Sequence, residues 1–418
     1  MDTRENEDKP SVLLSHATGN QNVRNALRSL SEHGMLAEFW TSIAWDIDSR
    51  WNSVLPASVR SQFCRRAYPE APASKIKAAP WREIVKLAAR STPMQPFLSS
   101  GERPFSEIGV SRYVDGRVAR RLSKLRPNVV YASEGCALRT FREAKKLDVV
   151  TVYELPSSYW YWEHKLYAED AKRSPEFANL LASTTESSRN LEEKDEELSL
   201  ADYLFVPSEH VRRTLAGVVP NEKIRVVSFG APPVRYRSPA ASNPSQPLKV
   251  LFAGSLIQRK GIGYLLEAIE MLGPKVELTM VGSRIAPNRH LDAACKRWRW
   301  FKSLPHDQVL DLMMESDVLA LPSLSDGWGL VVTEALACGL PVIVTPNAGV
   351  SQIVHDNHDG YIVPVCRADA IAERLEAIYL DREKLAAMSR QAQLTAAANP
   401  WENYRTNFAR VLRDLKWQ

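Results

Sequence analysis

Asp326 and Glu334 stand eight positions apart with Gly327, Trp328, Gly329 and Leu330 between them, in the run Pro322-Ser-Leu-Ser-Asp-Gly-Trp-Gly-Leu-Val-Val-Thr-Glu334. The first carboxylate belongs to a glycine-flanked loop and the second to the first turns of a helix, so the two can accept hydrogen bonds from hydroxyls at opposite ends of one ligand. Gly327 and Gly329 can take positive φ and let backbone N–H groups approach that ligand, while a helix opening at Leu330 turns its positive end to the same point. Such a place favours phosphate or diphosphate. A second loop, Gly254-Ser-Leu-Ile-Gln-Arg-Lys-Gly261, puts Arg259 and Lys260 between a strand and a helix. There two cations can neutralise a diphosphate as its bond to a sugar breaks. The two loops together describe a nucleotide-sugar pocket.

The run from Asp326 to Glu334 resembles the donor motif of retaining glycosyltransferases of the GT4 type (glycosyl transferases group 1), where two acids flank a Gly-aromatic-Gly-Leu sequence. The family usually has Glu at the first position, and Asp326 is one methylene shorter. Lys260-Gly261 matches the family's phosphate loop, but Ser255 stands where an Arg is usual, which leaves Arg259 as the second cation. The resemblance further sets Gly254 and Ser255 beside the donor and Leu304, in Phe301-Lys-Ser-Leu-Pro305, near the nucleotide base. It sets Gly19 and Asn20 in the loop facing donor phosphates and acceptor. Glu154 falls at the strand end where the family has a polar side chain, often His, near the reacting sugar. A carboxylate there could take a proton from an acceptor hydroxyl or bond to the sugar.

What the resemblance implies is an α/β protein of GT-B architecture, two Rossmann-like doubly wound domains facing across a cleft. It implies transfer of a UDP- or GDP-linked sugar, with retained anomeric configuration, to a hydroxyl of a glycan or lipid-linked acceptor in bacterial surface polysaccharide or glycolipid synthesis. The displacement would occur on one face without a covalent nucleophile, the leaving diphosphate helping to deprotonate the acceptor. The nucleoside diphosphate sugar is a co-substrate, and neither cofactor nor metal is expected. Asp326, Glu154 and Lys260 are the candidate catalytic residues. A nucleotide-sugar epimerase, a phosphorylase and a non-catalytic nucleotide- or glycan-binding protein are the alternatives, the last because of Glu154 and Ser255.

These residues need strand-loop-helix units to position them. Apolar runs at Ser11–Ser15, Leu36–Thr41, Val129–Ala132, Val149–Tyr153, Ala201–Ser208 and Lys223–Gly230 read as strands of a first domain, residues 1–235. Val23, Leu27 and Leu30 have helical spacing, and helices are expected over Trp81–Arg90, Val110–Leu125 and Ala137–Lys146. Five prolines without periodicity over 231–247 mark a linker, placed at 236–247. Strands at Lys249–Ala253, Val276–Val281, Val318–Leu321, Pro341–Val344 and Tyr361–Val363 build a second domain over 248–398, and 399–418 resembles the family's tail, a helix that returns to the first. Tyr159 to Trp162 are aromatic, suited equally to stacking on a sugar or lipid and to packing between helices.

Length and composition suit two full domains, and the five scattered cysteines without C-x-x-C spacing suggest neither a disulfide framework nor a zinc site. Charge is unevenly spread: residues 51–150 hold 19 Lys and Arg against 8 Asp and Glu, whereas 151–200 hold 5 against 11. The basic excess makes an anionic membrane surface a candidate partner, with a solvated helix face as the plainer account. Nucleic acid is not expected, because no recognisable binding fold accompanies the charge. No apolar run approaches the roughly 20 residues that span a bilayer. The expected location is the cytoplasm, soluble or peripheral at the inner face of the membrane.

Overall fold

The computed structural model describes residues 9–49, 60, 63–89, 101–181, 186–235 and 246–417. The polar start up to residue 8, Leu55-Pro56, Arg90 and most of the expected linker, 236–245, lie outside the described residues. Short apolar runs separated by amphipathic helices can bury both faces of every strand only in parallel sheets covered on two sides. Two such sheets form. The first has seven strands in the order β3-β2-β1-β4-β5-β6-β7, and the second six in the order β10-β9-β8-β11-β12-β13. The first comprises β1 (Val12–Ser15), β2 (Leu36–Thr41), β3 (Ile76–Ala78), β4 (Val129–Ser133), β5 (Val150–Glu154), β6 (Tyr203–Val206) and β7 (Ile224–Val226). The second comprises β8 (Leu248–Ala253), β9 (Val276–Val281), β10 (Arg299–Phe301), β11 (Val318–Leu321), β12 (Val342–Val344) and β13 (Gly360–Ile362).

Edge strands β3 and β10 have no counterpart in the sequence reading. Each is three residues long, and β10 contains Arg299, so the alternation that marks a strand is absent. The helix expected from Val110 begins three residues earlier, at Glu107, because the Ser106 hydroxyl accepts from Gly109 N at 3.1 Å and caps it there.

In each sheet the order reverses beside the first strand, between β1 and β4 and between β8 and β11, and α/β sheets bind ligands in the crevice at such a point. β8 runs into the loop of Arg259 and Lys260, and β11 into the loop of Asp326. Strand pairing therefore places the two chemical loops side by side. The helix Trp401–Arg413 lies against the helix Gln21–Glu32, where Ser29 Oγ donates to the Arg405 carbonyl at 2.6 Å. Its Phe408 ring meets Tyr131 and Phe205 of the first sheet at 5.2 and 5.7 Å between centroids. That cross-packing welds the end of the chain to the first unit.

The oppositely charged segments find each other. Arg112 donates to Glu193 at 2.8 Å, Arg142 to Glu196 at 2.6 Å, and Lys194 lies 3.5 Å from Glu134. Part of the basic excess is thus spent on the acidic helix Ser188–Leu200. Among the described residues no helix is long and apolar enough to cross a membrane.

Gly261 sets the approach of the two chemical loops. Its φ is +77°, and a Cβ there would lie 2.0 Å from the Pro322 carbonyl oxygen. Gly261→Ala is expected to lower stability by about 2 kcal/mol or more, through left-handed strain together with the clash. Urea unfolding measures this, and an unchanged midpoint would contradict the role given to Gly261.

Candidate active site

Lys260 Nζ and Asp326 Oδ2 form an ion pair between the β8 and β11 loops. Asp326 is 8% exposed. Burial alone would raise its carboxyl, but Lys260, Arg259 and the Trp328 N–H hold it below the usual carboxylate range, so it is ionised. Arg259 is held charged despite its partial burial by Asp326, Tyr167 and Glu163. Its backbone oxygen accepts from Leu324 N at 2.8 Å. The guanidinium itself is hydrogen-bonded to none of the described residues. Two cations, one with unspent donors, thus stand beside the helix Leu330–Ala337, whose first turn follows Gly329 at φ +93°.

The loop is braced from behind, with Asp326 N donating to the Asn347 carbonyl and Gly349 N to the Asp326 carbonyl, both at 2.9 Å. Gly327 does not take positive φ; of the two loop glycines only Gly329 is left-handed. Glycine is required at 327 because the first unit presses on it: a Cβ would lie 1.8 Å from the Pro156 carbonyl oxygen. Ser208 Oγ donates to the Gly327 carbonyl at 2.8 Å across the same junction.

The helix Trp160–Arg173 supplies the first unit's side of this junction. Glu163, Tyr167 and Asp170 share one face through helical spacing. Glu163 accepts from Ser325 Oγ at 2.7 Å, and Asp170 accepts from Gln258 Nε2 at 3.1 Å and from the Tyr264 hydroxyl. Ser325 Oγ is also 2.8 Å from Ser158 Oγ, which is 3.0 Å from His210 Nε2. Since each hydroxyl has one proton, Ser325 donates to Glu163, Ser158 donates to Ser325, and His210 donates from Nε2. Burial lowers His210 to about 4, with Arg213 adding to the effect, so the imidazole is neutral at pH 7. Sequence reasoning missed Glu163, Ser158, Ser325 and His210. The i, i+4, i+7 polar row on one helix was the available signal for Glu163; nothing local marked the others.

The remaining expected residues divide. Glu334 is raised by burial and lies 3.9 Å from His306 Nε2, just after Leu304, so the Leu304 segment and Glu334 meet at one edge of the second unit. Gly254 takes φ +148° with open space where a Cβ would be, and Ser255 is exposed beside it. Trp328 is buried, with its ring 6.1 Å from Phe229, and serves packing.

The first unit's candidates make their contacts within that unit. Glu154 is buried, and its carboxylate accepts from Asn22 Nδ2 at 2.8 Å and Ser133 Oγ at 2.6 Å. It lines a small cavity with Tyr131, Phe205 and Tyr404 under the C-terminal helix. Its hydrogen bonds tie it into the first unit, and the residue that meets Ser325 is Glu163. Asn20 spends its side chain capping the helix Gln21–Glu32, accepting from Val23 N at 3.0 Å. Gly19 lies under Tyr68, whose ring a Cβ would meet at 2.3 Å. Of the aromatics, Tyr159 and Trp160 donate to Asp195 at 2.9 and 2.7 Å and Trp162 packs on His210, while Tyr161 stays exposed.

Residues 237–395 match a family model described as glycosyl transferases group 1. Over 171 residues the sequence is 29% identical to the amylovoran biosynthesis glycosyltransferase AmsK of Erwinia amylovora, covering 37% of this chain and 41% of that protein. The chain spans less than half the length of the curated relatives it matches. Whole-chain likeness appears in structure. A sucrose-phosphate synthase from Thermosynechococcus elongatus superposes with a TM-score of 0.66 at 17% identity, over 96% of this chain and 98% of its own. Anabaena HepE in complex with UDP-glucose gives 0.64 at 14%, over 97% and 99%. The fold is GT-B.

Neutral burial of His210 has a consequence for stability. Its pKa in the fold, about 4, lies below the ordinary 6.5. The unfolded chain therefore binds the proton first, and stability present above pH 6.5 is lost as pH falls toward 4. His210→Gln should flatten that decline by up to about 3 kcal/mol between those limits. Urea midpoints across this range check it, and an identical slope in the variant would contradict it.

Proposed function

We propose that this chain, a member of the glycosyl transferases group 1 family through its residues 237–395, transfers a sugar from a nucleoside diphosphate donor to a hydroxyl acceptor with retention of configuration. The observation that carries the reading is the Lys260–Asp326 pair, with the unspent Arg259 guanidinium beside it, at the junction of the two units. A diphosphate is the ligand that uses both cations at once, and its charge matches the positive end of the helix Leu330–Ala337. As the sugar–phosphate bond breaks, negative charge grows on the leaving oxygen, and Arg259 and Lys260 stabilise it where it forms.

When Lys260 turns to the phosphate, Asp326 is released to accept hydrogen bonds from sugar hydroxyls. Glu334, at the other end of the loop, accepts from hydroxyls on the nucleoside side, next to the Leu304 segment. Asp326 remains ionised throughout, as its surroundings favour, and serves as an orienting and charge-stabilising group. The leaving diphosphate removes the acceptor proton on the same face, so retention follows without a covalent intermediate. Contact of Gly327 with Pro156 closes the cleft, and closure excludes water from the reacting bond.

HepE, described with UDP-glucose, supports a UDP-linked donor, and the AmsK resemblance supports a surface polysaccharide or a lipid-linked glycan as acceptor. Pairing of the basic helices with the helix Ser188–Leu200 makes the lipid carrier, more than a bare basic surface, what would draw the protein to the inner face of a membrane. Titration calorimetry with UDP and GDP tests the donor site. Micromolar binding of one nucleotide is expected, weakened at least about tenfold by Lys260→Ala and by Glu334→Ala. Binding unchanged in both variants, or binding of neither nucleotide, would contradict the reading.

A further inference from the structure

Glu163 lies where a second anion at the diphosphate site is least expected. It comes from the opposite unit, is 9% exposed, and has its carboxylate fixed by Ser325 Oγ at 2.7 Å. Ser325 is the residue immediately before Asp326, so the bond brings Glu163 to the loop that faces Lys260. Burial raises the Glu163 carboxyl and Asp326 adds to the rise, while Arg259, on which both carboxyls act, opposes it and favours the carboxylate. Tyr167 lies one turn along the same helix, and Glu134 adds like charge from the end of β4.

The two cations of the site are treated differently. Lys260 is committed to Asp326 by direct contact. Arg259 has its charge balanced but its donors unspent, since its guanidinium bonds to none of the described residues. A half-buried guanidinium keeps five N–H donors that are spent on no acceptor among the described residues, and its fork geometry suits paired oxyanions. A diphosphate arriving there meets Arg259 favourably and Glu163 unfavourably.

Resting on the diphosphate-donor reading above, we infer that Glu163 is a positioning residue that stands in for the donor's diphosphate. It balances Arg259 and latches the two units through Ser325 while the site lacks donor, and it yields Arg259 to the diphosphate when donor binds. The arrangement sets donor affinity below what the two cations could reach, and it ties release of the Ser325 latch to donor binding. Glu163 touches neither acceptor nor the reacting bond in this role. The Ser158–His210 pair behind Ser325 keeps the Ser325 hydroxyl oxygen hydrogen-bonded when Glu163 withdraws.

The test measures binding of inorganic pyrophosphate and of UDP by calorimetry to the full chain, to Glu163→Gln, to Glu163→Asp and to Arg259→Gln with and without Glu163→Gln. Glutamine keeps an acceptor for Ser325 but removes the anion, so the fold is retained, and a thermal melt verifies it. The expected result is pyrophosphate binding about fivefold tighter in Glu163→Gln, unchanged within about twofold in Glu163→Asp, and no gain from Glu163→Gln once Arg259 is Gln. A merely structural Glu163 would lower the melting temperature and leave affinity alone or weaken it, which would overturn the inference. A gain that persists without Arg259 would overturn it too. If pyrophosphate shows the Arg259-dependent gain while UDP binds no form of the protein, the stand-in role holds and the nucleotide reading falls. If neither ligand binds any form, both fall.

Discussion

The structure depends on one constraint: an ionised carboxylate, Asp326, has to be held at a junction with little access to water. Desolvating a carboxylate is costly unless opposite charge and hydrogen bonds replace the water it loses. Lys260 and Arg259 supply the charge from one loop, and the Trp328 N–H favours the carboxylate from the next turn. Those partners can converge only if the β8 and β11 loops touch, which the left-handed Gly261 permits. The two loops are adjacent because β8 and β11 pair as neighbours at the switch point of the second sheet. Sheet order, a glycine conformation and a charge balance are therefore successive conditions for one site.

The first unit closes this site with polar contacts, beside the packing of Phe229 on Trp328. Ser158, Ser208, Glu163 and Asp170 reach across to Ser325, Gly327, Gln258 and Tyr264, and His210 backs Ser158 from within the first unit. Hydrogen bonds of this kind contribute modestly each, because water can replace them when they part. Such a junction is suited to opening and reclosing, whereas the Phe408, Tyr131 and Phe205 packing that anchors the C-terminal helix is suited to staying shut. Gly327 is where both demands meet, since its bare backbone lets the Pro156 carbonyl approach.

Much of this was legible in the sequence because it is local. Strands such as Leu36–Thr41, Val276–Val281 and Val318–Leu321 are apolar runs between turn signals, and their limits agree with the structure. The run from Asp326 to Glu334 and the loop ending in Lys260-Gly261 could be read because spacing within one segment carries their chemistry. Glu154 shows the limit of that reading. Its place at the end of β5 is right, yet Asn22 and Ser133, distant in sequence, turn its carboxylate into the first unit. Glu163 shows the converse, since its importance arises from Ser325, 162 positions away. Gly327 likewise read as a source of left-handed backbone, because the approach of Pro156 from the other unit leaves no trace in the local sequence.

The most direct test of the account is a crystal structure of the protein with a bound nucleotide sugar. The account predicts diphosphate oxygens within about 3 Å of Lys260 Nζ and the Arg259 guanidinium, with Lys260 withdrawn from Asp326 and a sugar hydroxyl in its place. A donor bound elsewhere, with the Lys260–Asp326 pair intact, would contradict it.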